Sequence, residues 1–222
     1  MTRAELARMI DHSVLKPEAT ERDVRAGADL VRSWQIAFYC VQPCWIVAAV
    51  DALAGTDALV VGVVGFPHGC DRAEAKARAA AIAVGEGAGE IDMVMNFGAL
   101  KSGDADTVAA DIAAVVRAVQ NIPVKVILET TVLTDAEKRL ACRLALDAGA
   151  RFVKTSTGFH PSGGATAADV RLLRAAVGRE FGVKASGGIR SLADAQTMIG
   201  AGANRIGTSA SAAILGAIGP RS

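Results

Sequence analysis

Two lysines lie inside apolar stretches of this sequence, where charged residues are rare. Lys154 occurs in RFVKTS and Lys184 in GVKASGG. A single lysine of this kind is best explained by a side chain that reaches solvent or pairs with a carboxylate, because an unpaired buried ammonium is costly. Two of them, on neighbouring predicted strands, favour a reactive pair instead.

A reactive lysine pair indicates carbonyl chemistry. Only a neutral amine attacks a carbonyl, and an ordinary lysine, with a pKa of about 10.4, is almost entirely protonated at pH 7. Burial and repulsion by a second ammonium can lower a lysine pKa to about 7, which corresponds to about 4 to 5 kcal/mol. We therefore predict that Lys154 is a nucleophile whose reactivity depends on Lys184.

The elements that must position these lysines form a regular alternation. Short apolar, β-branched stretches alternate with Ala-rich helical stretches along the chain, as in repeated βα units around a parallel sheet. We predict eight strands, at residues 8–13, 36–41, 58–64, 90–95, 124–129, 151–155, 182–186 and 203–207. Eight strands in 222 residues predict an α/β fold, a single (βα)8 TIM barrel forming one domain over 1–222, with a short N-terminal helix at 2–10.

Helix starts are marked by a capping residue followed three positions later by an acid. This spacing occurs at 71–74, 134–137, 166–169 and 191–194. Between 104 and 120, valine and isoleucine recur at steps of three and four residues, which predicts a helix with one apolar face against the barrel.

In a barrel of this type, the active site is built at the C-terminal ends of the strands. Six residues should therefore converge on one mouth: Asp11, Cys40, Asp92, Glu129, Lys154 and Lys184. Asp92 alone could equally be a helix cap or half of an ion pair, and the two lysines favour a role in catalysis. We interpret Cys40 as a small buried residue rather than a catalytic one. Glu129 could pair with Lys125 or a pocket lysine and is left out of the catalytic set.

Several longer motifs make the chain resemble the deoxyribose-phosphate aldolase family over nearly its whole length. They are MIDHSVLKP, YCVQP, VVGFPHG, EIDMVMNFGALKSGD, KVILET, FVKTSTGF and GVKASGGIR. The resemblance implies reversible cleavage of 2-deoxy-D-ribose 5-phosphate to acetaldehyde and D-glyceraldehyde 3-phosphate, in deoxyribonucleoside catabolism. It also implies that no cofactor is required.

The same resemblance implies roles for individual residues. Lys154 corresponds to the Schiff-base lysine, Lys184 to the second lysine that tunes it, and Asp92 to the acid that works with Lys184 in proton transfer. Asp11 and Cys40 correspond to residues that line the substrate pocket.

The phosphate end of the pocket is predicted from three glycine-containing turns, at 156–166, 186–190 and 206–211. Backbone N–H groups in such turns can cradle an anion, although tight βα connections need glycine as well. The residues that we assign to this end are Gly158, Gly187, Gly188, Gly207 and Ser209. Some family members carry a lysine directly after the glycine matching Gly158, and this sequence has Phe159 there.

Composition limits the partners. The 24 Lys and Arg nearly cancel the 23 Asp and Glu, so no basic surface for nucleic acid or membranes is expected, and small phosphorylated sugars and aldehydes fit better as partners.

No signal-peptide pattern begins the chain and the apolar run at 58–67 is too short to span a bilayer, which predicts a cytoplasmic protein. The four cysteines are interpreted as thiols, and no metal site is predicted. We expect a homodimer that pairs through outer helices.

Three alternatives stay open. The first is a Schiff-base aldolase that acts on another phosphorylated sugar or keto substrate. The second is a phosphate-binding barrel, such as an isomerase or a synthase, in which the lysines only contact the anion. The third is a non-catalytic binding barrel, in which both lysines would be structural.

Overall fold

The computed structural model describes residues 1–219, and residues 220–222, the last three of the predicted domain, lie outside the described residues. Eight parallel strands close into a barrel in sequence order, β1 to β8. They are β1 Ile10–Val14, β2 Phe38–Val41, β3 Leu59–Val64, β4 Glu90–Val94, β5 Val124–Ile127, β6 Phe152–Lys154, β7 Gly182–Ser186 and β8 Arg205–Thr208. The predicted (βα)8 barrel is confirmed, and each predicted strand overlaps an observed one.

Helices surround the barrel. They are α1 Arg3–Met9, α2 Glu21–Trp34, α3 Ile46–Ala52, α4 Ala73–Gly85, α5 Phe97–Lys101, α6 Ala105–Val119, α7 Asp135–Asp147, α8 Ala167–Val177, α9 Leu192–Gly200 and α10 Ser211–Gly216. Short 3-10 turns occur at Pro43–Trp45 and Thr130–Val132. The short N-terminal helix is α1, which buries Leu6 and Ala7 and lies against the start of β2, since the N–H of Ala37 donates to the Ala7 carbonyl.

Three of the four predicted helix starts are confirmed. Thr134, Thr166 and Ser191 are the N-cap residues of α7, α8 and α9, and each side chain accepts a hydrogen bond from the N–H three residues on. The prediction at 71–74 is wrong. There the helix begins one residue later, because Arg72 supplies the first accepting carbonyl and makes no side-chain cap. The apolar face predicted for 104–120 is confirmed, since Val108, Ile112, Val115 and Val119 are all buried in α6.

The barrel interior is partly charged. At its lower end, toward the strand N-termini, the Arg205 guanidinium donates to Glu90 and lies 3.3 Å from the centre of the Phe38 ring. One wall is apolar and contains Val61 and Val63 of β3. The wall at β5 is not apolar, because Lys125 of that strand is fully buried inside the barrel. Charged side chains therefore fill part of the volume that packed aliphatic residues usually occupy.

Candidate active site

The three predicted catalytic residues meet at one carboxylate oxygen. Lys154 of β6 and Lys184 of β7 are direct neighbours in the strand register. Asp92 of β4 lies across from them, and its Oδ2 accepts hydrogen bonds from Lys154 Nζ at 2.8 Å and from Lys184 Nζ at 2.7 Å. All three side chains are buried, with Lys154 the most accessible at 3% exposure. The barrel geometry thus brings together residues that are 92 positions apart in the chain.

A third lysine, which the sequence analysis did not include in the site, completes this cluster. Lys125 Nζ lies 2.7 Å from Asp92 Oδ1 and 2.7 Å from Glu90 Oε2, and 3.9 Å from Asp11 Oδ2. In the strand register Lys125 is paired with Asp92, so its inward direction follows from the parallel pairing of β4 and β5. The signal that identified Lys154, a lysine inside an apolar strand, was present at Lys125 as well.

Asp11 holds the other side of Lys184. Its Oδ2 accepts a short hydrogen bond from Lys184 Nζ, while its Oδ1 is buried and has no partner among the described residues. A buried carboxylate oxygen without a partner is expensive, so it is suited to receive a donor group from a ligand.

Electrostatics keep the carboxylate and the second lysine charged. Burial alone would raise the pKa of Asp92, but the ammonium groups of Lys125, Lys154 and Lys184 outweigh it and hold that pKa well below its ordinary value. Burial alone would lower the pKa of Lys184, but the charges of Asp11 and Asp92 outweigh it and hold that pKa above its ordinary value. The charged form of Lys184 is therefore favoured in the resting site.

Above the lysines a cavity of about 660 Å³ opens at the C-terminal ends of the strands. This size suits a small-molecule ligand. Four of the six predicted strand-end residues line it, namely Asp11, Cys40, Lys154 and Lys184. All five residues predicted for the phosphate end line it as well: Gly158, Gly187, Gly188, Gly207 and Ser209. Asp92 is fully buried and contacts the cavity-lining lysines.

Two of these glycines are required by close packing. A Cβ atom on Gly207 would lie 3.0 Å from Cε of Lys184 and 2.9 Å from Cβ of Ser186. On Gly187, which has φ +88°, it would lie 2.9 Å from the Cα of Gly164. Glycine at 207 thus leaves room for the second lysine, whatever else it does for a ligand.

Two cations that the sequence analysis missed also line the cavity. Lys16 follows β1 and Arg190 follows β7. Phe159, at the position where some family members have a lysine, is 43% exposed and packs edge-on against Phe66, with ring centres 5.3 Å apart. The positive charge of the rim therefore comes from other loops than the one carrying Phe159.

Cys40 forms part of the cavity wall and carries no charge. Burial, with a further contribution from the negative charges of Asp11 and Asp92, raises the pKa of the Cys40 thiol to about 12. The thiol packs with Leu15, Val61 and Val63, in agreement with its interpretation as a small buried residue.

The predicted partners of Glu129 are wrong. Its carboxylate makes no ion pair with Lys125 or with a pocket lysine, and accepts hydrogen bonds from the backbone N–H and the hydroxyl of Thr157 instead. The reason is local: β5 ends at Ile127, and the chain turns at Glu129 through a left-handed conformation with φ 57°. The side chain therefore reaches the loop after β6.

The described residues, 1–219, include neither a cluster suited to a metal ion nor a membrane-spanning helix. No group of three or more His, Cys, Asp or Glu residues in this range is arranged so that it could hold a metal ion. In the same range, no helix has the length and apolar character needed to cross a membrane.

The comparisons with known proteins agree with the barrel and its buried lysines. The family model described as DeoC/LacD family aldolase matches residues 6–217. The chain belongs to this aldolase family, so the aldolase class that the motifs implied is confirmed.

Individual relatives carry a more specific name. The deoxyribose-phosphate aldolase of Caldanaerobacter subterraneus is 52% identical over 213 residues, covering 95% of this chain and 92% of the relative. That of Enterococcus faecalis is 52% identical over 212 residues, covering 95% and 96%. A solved structure of deoxyribose phosphate aldolase from Aeropyrum pernix, described as tetrameric, has a TM-score of 0.90 at 32% identity and covers 97% of this chain and 92% of that one. The family resemblance drawn from the motifs is thus confirmed.

Proposed function

We propose that this aldolase cleaves 2-deoxy-D-ribose 5-phosphate to acetaldehyde and D-glyceraldehyde 3-phosphate through a Schiff base on Lys154. One observation carries the proposal: Lys154 Nζ and Lys184 Nζ both lie within 2.8 Å of the same Asp92 oxygen, and both lysines line a cavity of about 660 Å³. The substrate is taken from the names of the relatives at 52% identity.

A charge count supports Lys154 as the nucleophile. Ion pairs link four cations, Lys125, Lys154, Lys184 and Arg205, with three carboxylates, Asp11, Glu90 and Asp92. One positive charge is in excess inside the barrel, where it is poorly solvated. Lys154 has a single carboxylate partner, shared with two other lysines, whereas Lys125 and Lys184 each contact at least one further carboxylate, so Lys154 is the least firmly paired lysine of the cluster. The neutral amine is the form that attacks a carbonyl.

The carbon–carbon bond breaks once the Schiff base has formed. Lys154 adds to the C1 aldehyde of the open-chain sugar, and loss of water gives an iminium ion. The C3 hydroxyl then loses its proton, the electrons of the C2–C3 bond move into the iminium, and D-glyceraldehyde 3-phosphate departs from the enamine. Protonation of C2 and hydrolysis of the resulting iminium release acetaldehyde and restore the amine.

Asp92 and Lys184 are the groups that we assign to the proton transfers. The lowered pKa of Asp92 and the raised pKa of Lys184 keep the resting proton on Lys184. Lys184 thus has a proton for C2 of the enamine, while Asp92 orients both lysines through one oxygen. During cleavage a bridging water carries the C3 hydroxyl proton to Asp92, and once Lys184 has protonated C2 this proton passes from Asp92 to Lys184, which completes the cycle.

The substrate would lie with its phosphate at the rim of the cavity. Backbone N–H groups of Gly187, Gly188 and Ser209 supply donors, and Lys16 and Arg190 supply positive charge. Asp11, with its unpartnered Oδ1, and Cys40 would contact the sugar nearer Lys154. Gly158 and Gly207 complete the wall.

Product analysis tests this function. After incubation with 2-deoxy-D-ribose 5-phosphate, proton NMR should show acetaldehyde and D-glyceraldehyde 3-phosphate in equal amounts. Lys154→Met should lower kcat by a factor on the order of 1,000 or more, because the nucleophile is lost. Lys138→Met is the matched control, since Lys138 is a buried, ion-paired lysine on α7, outside the barrel interior. Equal activity in both variants, or cleavage of other phosphorylated sugars only, would contradict the proposal.

Organisation and location are part of the same proposal. We propose one domain, since the barrel strands run from residue 10 to residue 208 with helices on both flanks. A homodimer is proposed, with Val47 of α3 and Ile82 of α4 as exposed apolar residues on outer helices. Light scattering of the purified protein distinguishes it from a monomer or from the tetramer described for the Aeropyrum pernix relative. A charged sugar phosphate as substrate favours a cytoplasmic enzyme.

A further inference from the structure

Glu129 occupies a strained position beside the cavity. Its φ of 57° and ψ of 61° are left-handed, a conformation that is unfavourable for a non-glycine residue. Only two other non-glycine residues among the described residues have positive φ. Such strain persists where surrounding contacts enforce it, and it is frequent at functional sites.

The Glu129 carboxylate accepts hydrogen bonds from one residue, Thr157, in the loop after β6. Glu129 is 1% exposed and forms no ion pair with any described residue, although three lysines lie inside the same barrel. Its Oε2 accepts the Thr157 hydroxyl at 2.5 Å and the Thr157 N–H at 3.3 Å. A buried carboxylate that accepts only neutral donors is stabilised solely by those bonds, so the contact is specific.

This contact fixes the direction of the Thr157 hydroxyl. A threonine hydroxyl has one hydrogen to donate and two lone pairs. The hydrogen is given to Glu129, and one lone pair accepts the N–H of Phe159 at 3.1 Å. One lone pair remains, so toward a ligand Thr157 can act as an acceptor only. Thr157 lines the cavity three residues after Lys154.

We propose that Glu129 is a positioning residue that sets substrate specificity, because it holds the Thr157 hydroxyl as an acceptor for a hydroxyl on the acceptor aldehyde. The inference rests on the proposed aldolase function. In the synthetic direction the aldehyde carbon must lie beside the enamine on Lys154, and the hydroxyl on the next carbon would then face Thr157, which lines the same cavity. For D-glyceraldehyde 3-phosphate this is the C2 hydroxyl.

The test compares two acceptor aldehydes with acetaldehyde as donor. They are D-glyceraldehyde 3-phosphate and 3-oxopropyl phosphate, which lacks only the C2 hydroxyl. The readout is the ratio of kcat/KM for the two acceptors, measured for the wild type and for Thr157→Val, Thr157→Ser, Glu129→Gln and the Thr157→Val/Glu129→Gln double variant. A purely structural role of Glu129 would change both kcat/KM values together and leave the ratio unchanged.

The expected ratios follow from the hydrogen bonds. Thr157→Val should lower the preference for the hydroxylated acceptor about ten-fold, the effect of one lost hydrogen bond. Glu129→Gln should lower it roughly three-fold, because a neutral amide orients the hydroxyl less firmly than a carboxylate. Thr157→Ser should keep it, and the double variant should match Thr157→Val, since Glu129 acts through Thr157.

Two outcomes would overturn the inference. One is an unchanged ratio in Glu129→Gln, and the other is a further fall of the ratio when Glu129→Gln is added to Thr157→Val. A failure of the proposed function itself is distinguishable, because the wild type would then form no aldol product with either acceptor. Thermal unfolding of each variant shows whether it is folded under the assay conditions.

Discussion

At the scale of single residues, the site depends on an imbalance of buried charge. Three carboxylates face four cations inside the barrel, and Asp92 bridges three of those cations. Lys125 matters as much to this imbalance as the two predicted lysines, although it is not among the described residues that line the cavity. Lys125 contributes its positive charge. Its side chain can be removed without leaving Glu90 or Asp92 unpaired, because Glu90 still pairs with Arg205 and Asp92 still pairs with two lysines.

Lys125→Met should therefore shift the pH dependence of the reaction. The substitution removes the excess positive charge, because three cations then face three carboxylates inside the barrel. The acid limb of the kcat/KM profile should move to higher pH by about 1 unit, equivalent to about 1.4 kcal/mol. A stopped assay between pH 5 and pH 9 measures the shift.

Lys138→Met provides the control for this prediction. Lys138 pairs with Asp169 at 2.6 Å between α7 and α8, so the same substitution there removes a cation outside the barrel interior. Its profile should match that of the wild type. An unchanged acid limb in Lys125→Met would show that the charge count does not govern the nucleophile.

At the scale of elements, the strand ends are held by contacts that face away from the cavity. Next to Asp11 on β1, His12 is 4% exposed, and its Nδ1 lies 2.9 Å from Oγ of Ser211 at the start of α10. Burial lowers the pKa of His12 to about 4, with partial opposition from the charge of Asp11. The contact links β1 to the helix that follows Ser209, so both sides of the cavity depend on it.

The pKa of His12 gives the protein a pH-dependent stability. Between about pH 6.5 and pH 4 the unfolded chain binds a proton at His12 and the folded protein does not, so the free energy of unfolding falls as the pH falls. From pH 7 to pH 5 the loss should be about 2 kcal/mol. Urea unfolding at the two pH values measures it.

The comparison variants for this prediction are two histidine substitutions. His12→Asn should remove most of the difference between pH 7 and pH 5, whereas substitution of the exposed His68 by asparagine should keep it. If the wild type and His12→Asn lose the same stability, protonation of His12 is not its source.

The features that could be predicted from the sequence also differ between elements. Strands such as LVVGVV are continuous apolar runs, and the threonine and serine caps of α7, α8 and α9 are short-range features, so both are readable locally. The inward direction of Lys125 depends on the strand register with β4, and the partner of Glu129 depends on a left-handed turn. The local pattern showed a lysine inside an apolar strand at 125, but neither its inward direction nor the partner of Glu129, so the site was predicted without Lys125 and with the wrong partners for Glu129.

At the scale of the whole molecule, closure of the barrel creates the chemistry. Asp11 on β1 and Lys184 on β7 lie 173 residues apart in sequence and are joined by a hydrogen bond. Their pairing requires β8 to close against β1, which the register of these strands shows. The predicted fold and aldolase class needed only the count of strands and the motifs, whereas the charge cluster required the closed barrel.

The central claim is that Lys154 forms a covalent Schiff base. The most direct measurement is intact-mass analysis and peptide mapping after incubation with 2-deoxy-D-ribose 5-phosphate or acetaldehyde in the presence of borohydride, which reduces an imine to a stable amine. One adduct is expected, of the mass of a reduced acetaldehyde imine, on the peptide containing Lys154, and none in Lys154→Met. An adduct on Lys184 alone would reverse the two roles, and no adduct during turnover would contradict the Schiff-base mechanism.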